Sequence, residues 1–141
     1  MTTKEIKIQI ALGTLDYGAR VALASNKRTS KGTLAALAFD PEIWVREYVA
    51  FNPNTSAKTF IVLSQDESVH IRRAVASNPR AVPEVLEILS KDKDVHVRKW
   101  AARNSNTSSK TLDKLSKDKD PDVAVVAARR IAKVKKNTKV K

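Results

Sequence analysis

The same residues return every 26 positions along this chain, without drift. Arg20, Arg46, Arg72 and Arg98 stand 26 apart, and so do Asn26, Asn52, Asn78 and Asn104. Ala24, Ala50, Ala76, Ala102 and Ala128 keep the same phase, as do Leu37, Leu63, Leu89 and Leu115. Asp40, Asp66, Asp92 and Asp118 form a further column, and Val45, Ile71, Val97 and Val123 another. Six columns in one register mark a stack of copies of one supersecondary unit. The repeats are 20–45, 46–71, 72–97 and 98–123. Residues 1–19 read as a degenerate half-repeat, and the segment from Ala124 stops after one helix.

Each repeat reads as two short helices. Ser68, Asp94 and Asp120 stand where N-caps of the first helix belong, and Pro121 falls at a first helical position. Asp40-Pro41 is expected to perform the same start two residues earlier. Asn ends the first helix, twice followed by Pro (Asn52-Pro53, Asn78-Pro79), which stops propagation. The second helix is expected after Thr29, Thr55 or Thr107 as caps. Its apolar residues lie three apart: Leu34/Leu37, Phe60/Leu63, Leu86/Leu89 and Leu112/Leu115. No stretch alternates with period two, so no strand is expected. One such helix pair cannot bury its apolar face alone, whereas stacked copies make a continuous core. Small Ala in the first helix allows close approach of neighbours. The expectation is an all-α solenoid in one repeat domain, 1–134, closed by a capping helix at 124–134 and followed by a basic tail, 135–141.

The run Asp40-Pro41-Glu-Ile-Trp-Val45-Arg46-Glu-Tyr-Val49-Ala50-Phe-Asn52-Pro53 resembles the motif of the leucine-rich repeat variant, a HEAT-like α-solenoid family. Val97-Arg98-Lys-Trp-Ala-Ala102-Arg-Asn104 is similar, with Ala for Val and Ser105 for Pro. The resemblance covers roughly residues 20–130. It implies a right-handed superhelix of helix pairs, one of which can be short or 3₁₀-like, and implies no single activity. Some family members carry a cysteine-bound iron–sulfur cluster. This chain has no Cys, so that feature does not transfer.

The Arg, Asp and Asn columns read first as a structural ladder. Each Arg precedes the repeated Ala by four residues, so both share a helix face. Its guanidinium is expected to bond an Asp or helix-end carbonyls; the competing reading is a row of phosphate forks. Asn at a helix end satisfies turn backbone groups. The outward candidates are the residues that vary between repeats. The stripe before the terminal Val/Ile reads Trp44, Glu47, Phe51, then His70, Arg73, Ser77, then His96, Lys99, Arg103, then Asp122, Val125, Arg129. Trp44 and Phe51 are candidate anchors of a binding surface, unless they pack on the first repeat. Tyr48 and Trp100 are expected to fill grooves between helices. His70 and His96 share a column, but stacked helices stand about 8–10 Å apart, long for two ligands of one metal. No metal and no cofactor are therefore expected.

The formal net charge is +12, and residues 124–141 hold seven Lys or Arg and no acid. Such an end is an electrostatic footprint for a polyanion or an acidic partner, or a solubilising cap. Without Cys there is no disulfide framework, thiolate nucleophile or Cys-ligated metal. No apolar run is long enough to cross a membrane, and Met-Thr-Thr-Lys-Glu lacks a signal-peptide pattern. The chain is expected to be cytoplasmic. No Ser/His/Asp set or phosphate-cradling loop is present, and the carboxylates cluster in Lys-Asp-Lys-Asp loops, which argues against an enzyme. The leading expectation is a non-enzymatic scaffold for another protein, acidic in character. The alternative is sequence-tolerant DNA or RNA binding through Arg73, Arg80, Lys99, Arg103, Arg129, Arg130 and the Lys-rich end.

Overall fold

The computed structural model describes residues 1–139; the last two residues of the expected basic tail lie outside them. Among the described residues there are ten helices and no strand, consistent with a helical repeat solenoid. One series comprises α2 (Tyr17–Ser25), α4 (Ile43–Phe51), α6 (Val69–Ser77), α8 (Val95–Arg103) and α10 (Pro121–Lys139). The other comprises α1 (Thr3–Leu12), α3 (Lys31–Leu37), α5 (Ala57–Ser64), α7 (Pro83–Leu89) and α9 (Ser109–Leu115). The chain forms two compact units, Met1–Val75 and a second that starts at Ala76. None of the described helices is long and apolar enough to cross a membrane.

In the first unit, α1 opens on a reciprocal cap. Thr2 Oγ1 accepts from the Glu5 N–H at 3.2 Å, and Glu5 Oε2 accepts from the Thr2 N–H at 2.7 Å. Gly13 closes the helix in the left-handed region at φ 67°, where a side chain would be strained. The helix buries none of its own residues fully. Asp16 caps α2 by accepting from the Ala19 N–H at 3.0 Å. In contrast to the expected start at Pro41, α4 begins at Ile43 and its N-cap Glu42 makes no side-chain cap bond. Asp40 instead accepts from the Glu42 N–H at 2.9 Å and shapes the turn.

The expected threonine caps are displaced by one residue. Ser30, Ser56 and Ser108 cap α3, α5 and α9, each accepting from the N–H three residues on at 3.2 Å. Thr29, Thr55 and Thr107 are buried and face backwards. Their hydroxyls donate to Leu23 O at 2.6 Å, Val49 O at 2.6 Å and Ala101 O at 2.5 Å. A helix end leaves carbonyls short of partners, and each Thr bonds one near the end of the preceding helix; Val49 O also accepts from the Asn52 N–H at 3.2 Å. Thr107→Val keeps the shape and removes that donor. It is expected to cost about 1–3 kcal/mol, measured by urea denaturation. A loss within error of zero would mean that water replaces the hydroxyl at no cost.

In the second unit, Asp94 and Asp120 accept from the N–H groups of Val97 at 3.0 Å and Val123 at 3.2 Å. Here Val82 stands at the N-cap of α7 without a side-chain bond, and Pro83 follows at the first helical position, where a missing N–H costs nothing. Ala102, Leu112, Leu115, Val123 and Ala127 form a buried cluster, with Val95, Val126 and Ile131 packed against it. The helix expected over 124–134 starts at Pro121 and continues through Lys139, so the described part of the tail is helical.

The columns are core columns. Leu34, Phe60, Leu86 and Leu112 are at most 1% exposed, as are Val45, Ile71, Val97 and Val123. Ala24, Ala50, Ala76 and Ala102 are fully buried. Ala128 departs from its column: it is exposed on α10, and Ala127 turns inward instead.

Candidate interaction surface

The ladder fixes the helices that carry the candidate surface. In the first unit, Arg46 Nε and Nη2 donate to Asp66 Oδ2 and Oδ1 at 2.8 and 3.2 Å, and Nη1 donates to Asp40 O at 2.8 Å. Arg20 Nε donates to Asp40 Oδ2 at 2.7 Å, and its Nη1 to Leu15 O at 2.7 Å. Arg72 Nη1 donates to Asp66 O at 2.9 Å and Glu67 O at 3.1 Å. In the second unit, Arg98 repeats the geometry, with Asp118 Oδ2 at 2.9 Å, Oδ1 at 3.2 Å and Asp92 O at 2.9 Å. These guanidinium groups are bonded to carboxylates and carbonyls inside the fold.

The Asp118 carboxyl shows what the pairing does. Burial pushes it up, but the Arg98 hydrogen bond, the Asp120 N–H at 2.9 Å and the charges of Arg98 and Lys119 together outweigh burial. It therefore sits below the ordinary carboxylate range. The Arg98 guanidinium moves the opposite way, raised chiefly by its hydrogen bond to Asp118 against the cost of burial.

The Asn column makes rungs between successive helix ends. Asn52 Nδ2 donates to Ala24 O at 2.7 Å and Asn26 O at 2.9 Å, while its Oδ1 accepts from the Asn54 N–H. Asn104 does the same with Ala76 O at 2.9 Å, Asn78 O at 2.8 Å and the Asn106 N–H. Asn26 and Asn78 accept from the N–H groups of Arg28 and Arg80. A second rung escaped the sequence reading: Asn54 Nδ2 donates to Thr29 O, and Asn106 Nδ2 to Pro79 O and Ala81 O. Its signal was present, because Asn54 and Asn106 lie two periods apart.

Opposite the ladder, α4 turns large aromatic side chains outward. Trp44 and Phe51 project from α4 and are 59% and 58% exposed, so neither packs away against the first repeat. Tyr48 and Trp100, expected to fill grooves between helices, are 44% and 41% exposed. Both face outward because the helix residues that pack inward are Val45, Arg46, Val49 and Ala50 on α4, and Val97, Arg98, Ala101 and Ala102 on α8. Trp44 and Tyr48 line a groove of about 300 Å³ with Tyr17, Gly18 and Val21 of α2. Arg20 stands over the Tyr17 ring at 5.9 Å. Tyr17 carried no repeat signal, so only packing brings it to Trp44.

On the second unit, His96 and Arg103 are exposed and Lys99 is half-buried. Arg103 lies over the Trp100 ring at 5.4 Å, and both line a smaller groove of about 240 Å³ with Ser77, Pro79, Asn104 and Ser105. On α10, Arg129 is exposed and Arg130 half-buried, with its Nε buried and without a hydrogen-bond partner. On α6, His70 is exposed and Arg73 half-buried; the His70 N–H donates to the cap Ser68 at 3.2 Å. No group of three or more His, Cys, Asp or Glu able to hold a metal occurs among the described residues.

No family model and no curated protein matches the chain. A solved structure described as a leucine-rich repeat variant with a novel repetitive protein structural motif does match. Its TM-score is 0.69 at 27% identity, covering 92% of this chain and 51% of its own. The chain thus spans about half the length of that structure. The resemblance carried by the in-phase Val-Arg, Ala and Asn motifs is therefore also a resemblance of fold, and over nearly its whole length the chain is similar to the leucine-rich repeat variant.

Proposed function

We propose that this protein is a non-enzymatic interaction scaffold, a right-handed solenoid of 26-residue helix pairs that presents aromatic side chains to an acidic protein partner. One observation carries the reading: Trp44, Tyr48 and Phe51, all on α4, are each more than two-fifths exposed. Three large rings exposed on one helix suit an interface, where the Trp44 N–H and Tyr48 O–H can still reach water or a partner. Aromatic residues dominate interface hot spots. The positive charge acts on the partner at longer range. In this reading Lys99, Arg103, Arg129 and Arg130 select an acidic partner, with His70, Arg73 and His96 as further contact positions. Fold likeness supplies only the scaffold class, and the side chains supply the rest.

The test is photocrosslinking in cells from positions 44 and 51, set against exposed Lys58 on α5. Discrete protein adducts at 44 and 51, absent at 58, are expected. Trp44→Ala should then weaken capture of the same protein about 30-fold, the effect of losing a hot spot near 2 kcal/mol. Stability should stay within about 0.5 kcal/mol, as for an exposed site. A Trp44→Ala/Phe51→Ala chain that keeps every adduct partner at full affinity would remove α4 as the interface.

A further inference from the structure

The second unit carries a cationic face that the scaffold reading uses only for steering. Arg129, Lys133 and Lys136 are exposed on α10 and separated by four and three residues. That spacing places them on one side of the helix, about 6 and 4.5 Å apart along the axis. Val123, Ala127 and Ile131 take the other side, in or against the core. The neighbouring helix α8 adds Lys99 and Arg103, and Arg103 occupies the position one repeat before Arg129. Helices packed side by side stand about 8–10 Å apart. Among the described residues, none of Lys99, Arg103, Arg129, Lys133 and Lys136 makes an ion pair. The contrast with the ladder is direct, since Arg98 on the same α8 is held by Asp118 in two bonds.

At the border of this face stands Trp100, with Arg103 Cζ over its ring, 5.4 Å from the centroid. Both side chains are exposed, and they line one groove with Ser77, Pro79, Asn104 and Ser105. We infer that the second unit binds single-stranded nucleic acid without base sequence preference. Lys99, Arg103, Arg129, Lys133 and Lys136 take successive phosphates, and a base stacks on the Trp100–Arg103 pair.

Charge complementarity selects a polyanion. The last acid in the sequence is Asp122, and seven cations follow it. An acidic protein would need a dry apolar centre to its interface, and among the described residues the exposed large aliphatic side chains of α10 are Val125 and Val134. The aromatic platform selects a single strand over a duplex, because only unpaired bases offer a π-face. Arg rather than Lys on that platform suits both tasks, as the guanidinium stacks on a ring and forks to phosphate.

The experiment is fluorescence anisotropy of labelled oligo(dT), oligo(rU) and a mixed duplex with the full chain, from 50 to 300 mM salt, with poly-glutamate as competitor. Binding to both single strands is expected, tighter than to the duplex. The log–log salt slope should be about −3.5, as five neutralised phosphates contribute about −0.7 each. Trp100→Ala should weaken binding roughly tenfold without changing that slope. Arg129→Glu/Lys133→Glu/Lys136→Glu should abolish it while circular dichroism stays unchanged. No binding at 50 mM salt overturns the inference, and so does equal binding of duplex with no effect of Trp100→Ala. Poly-glutamate competing as well as oligo(dT) also overturns it and makes the face a site for acidic protein. If the triple variant unfolds, Lys133→Gln/Lys136→Gln decides instead: binding unchanged in both strength and slope overturns the inference. The crosslinking at positions 44 and 51 reads protein capture by the first unit, so either reading can fail without the other.

Discussion

Arg98→Ala is expected to destabilise the second unit by about 3–5 kcal/mol, the range for removing one partner of a buried ion pair. The intact pair is not itself a large source of stability, because desolvating two charges offsets most of their attraction. The loss comes from what the variant leaves behind. The Asp118 side chain is 9% exposed and would keep only the Asp120 N–H. The carbonyls of Asp92 and Lys93 lose the Arg98 donor they share at 2.9 and 3.3 Å. A fall in Tm of order 10 °C follows for a chain of this size. Arg98→Lys should recover only part of it, since an ammonium cannot fork to the carboxylate and reach the carbonyls together.

The effect has a pH signature with a definite sign. The folded Asp118 carboxyl lies below its ordinary value, which is about 3.9 in the unfolded chain. The pair's contribution is therefore complete above about pH 4 and lost as pH falls through the folded value. Without Arg98, burial and the missing positive charge act in the same direction and push the carboxyl up. The stability difference between wild type and Arg98→Ala should thus be largest near neutral pH and shrink below about pH 4. Thermal melts across pH 2.5–7 measure it. A gap that is constant with pH would show that lost packing over the guanidinium, and not the charge pair, sets the cost.

Phe60→Ala is the second large effect, expected at about 3–5 kcal/mol in the first unit. Phe60 is 1% exposed and occupies the column held elsewhere by Leu34, Leu86 and Leu112. Truncation removes the transfer free energy of the ring and leaves a cavity that the locked helices fill poorly. The same change at Phe39, 73% exposed, should stay within about 0.5 kcal/mol. Urea denaturation separates the two through the midpoint at constant slope. Similar losses at both positions would mean that Phe39 is buried in solution by a partner or a second copy.

The repeat columns were legible because each is tied to packing or to a backbone group that recurs every 26 residues. A Leu, an Ala or an Arg that meets the same neighbours in each repeat must itself recur. The adjacent hydroxyls were not separable in this way. Thr29-Ser30, Thr55-Ser56 and Thr107-Ser108 offer two chemically similar caps, and only the backbone path decided that Ser caps forward while Thr reaches back. Tyr48 and Trp100 were misplaced for a related reason. A large aromatic in a helix suggests burial by size alone, and their column has Ala74 between them, so no recurrence restrained the reading. Ala128 misled in the opposite direction: it kept the column, but α10 turns Ala127 inward instead.

The sequence by itself determined the phase of the helices, the core columns and the Arg–Asp–Asn framework, because periodic packing forces periodic residues. It also determined the charge, since seven cations after Asp122 are a count and require no fold. The tertiary structure alone decided which variable side chains stand in the open. Tyr17 meets Trp44 across two helices, Arg103 covers Trp100, and Arg129, Lys133 and Lys136 line one side of a helix that runs on to Lys139. Such positions are free of the constraint that makes a repeat visible, so their exposure follows only from where stacking ends and solvent begins.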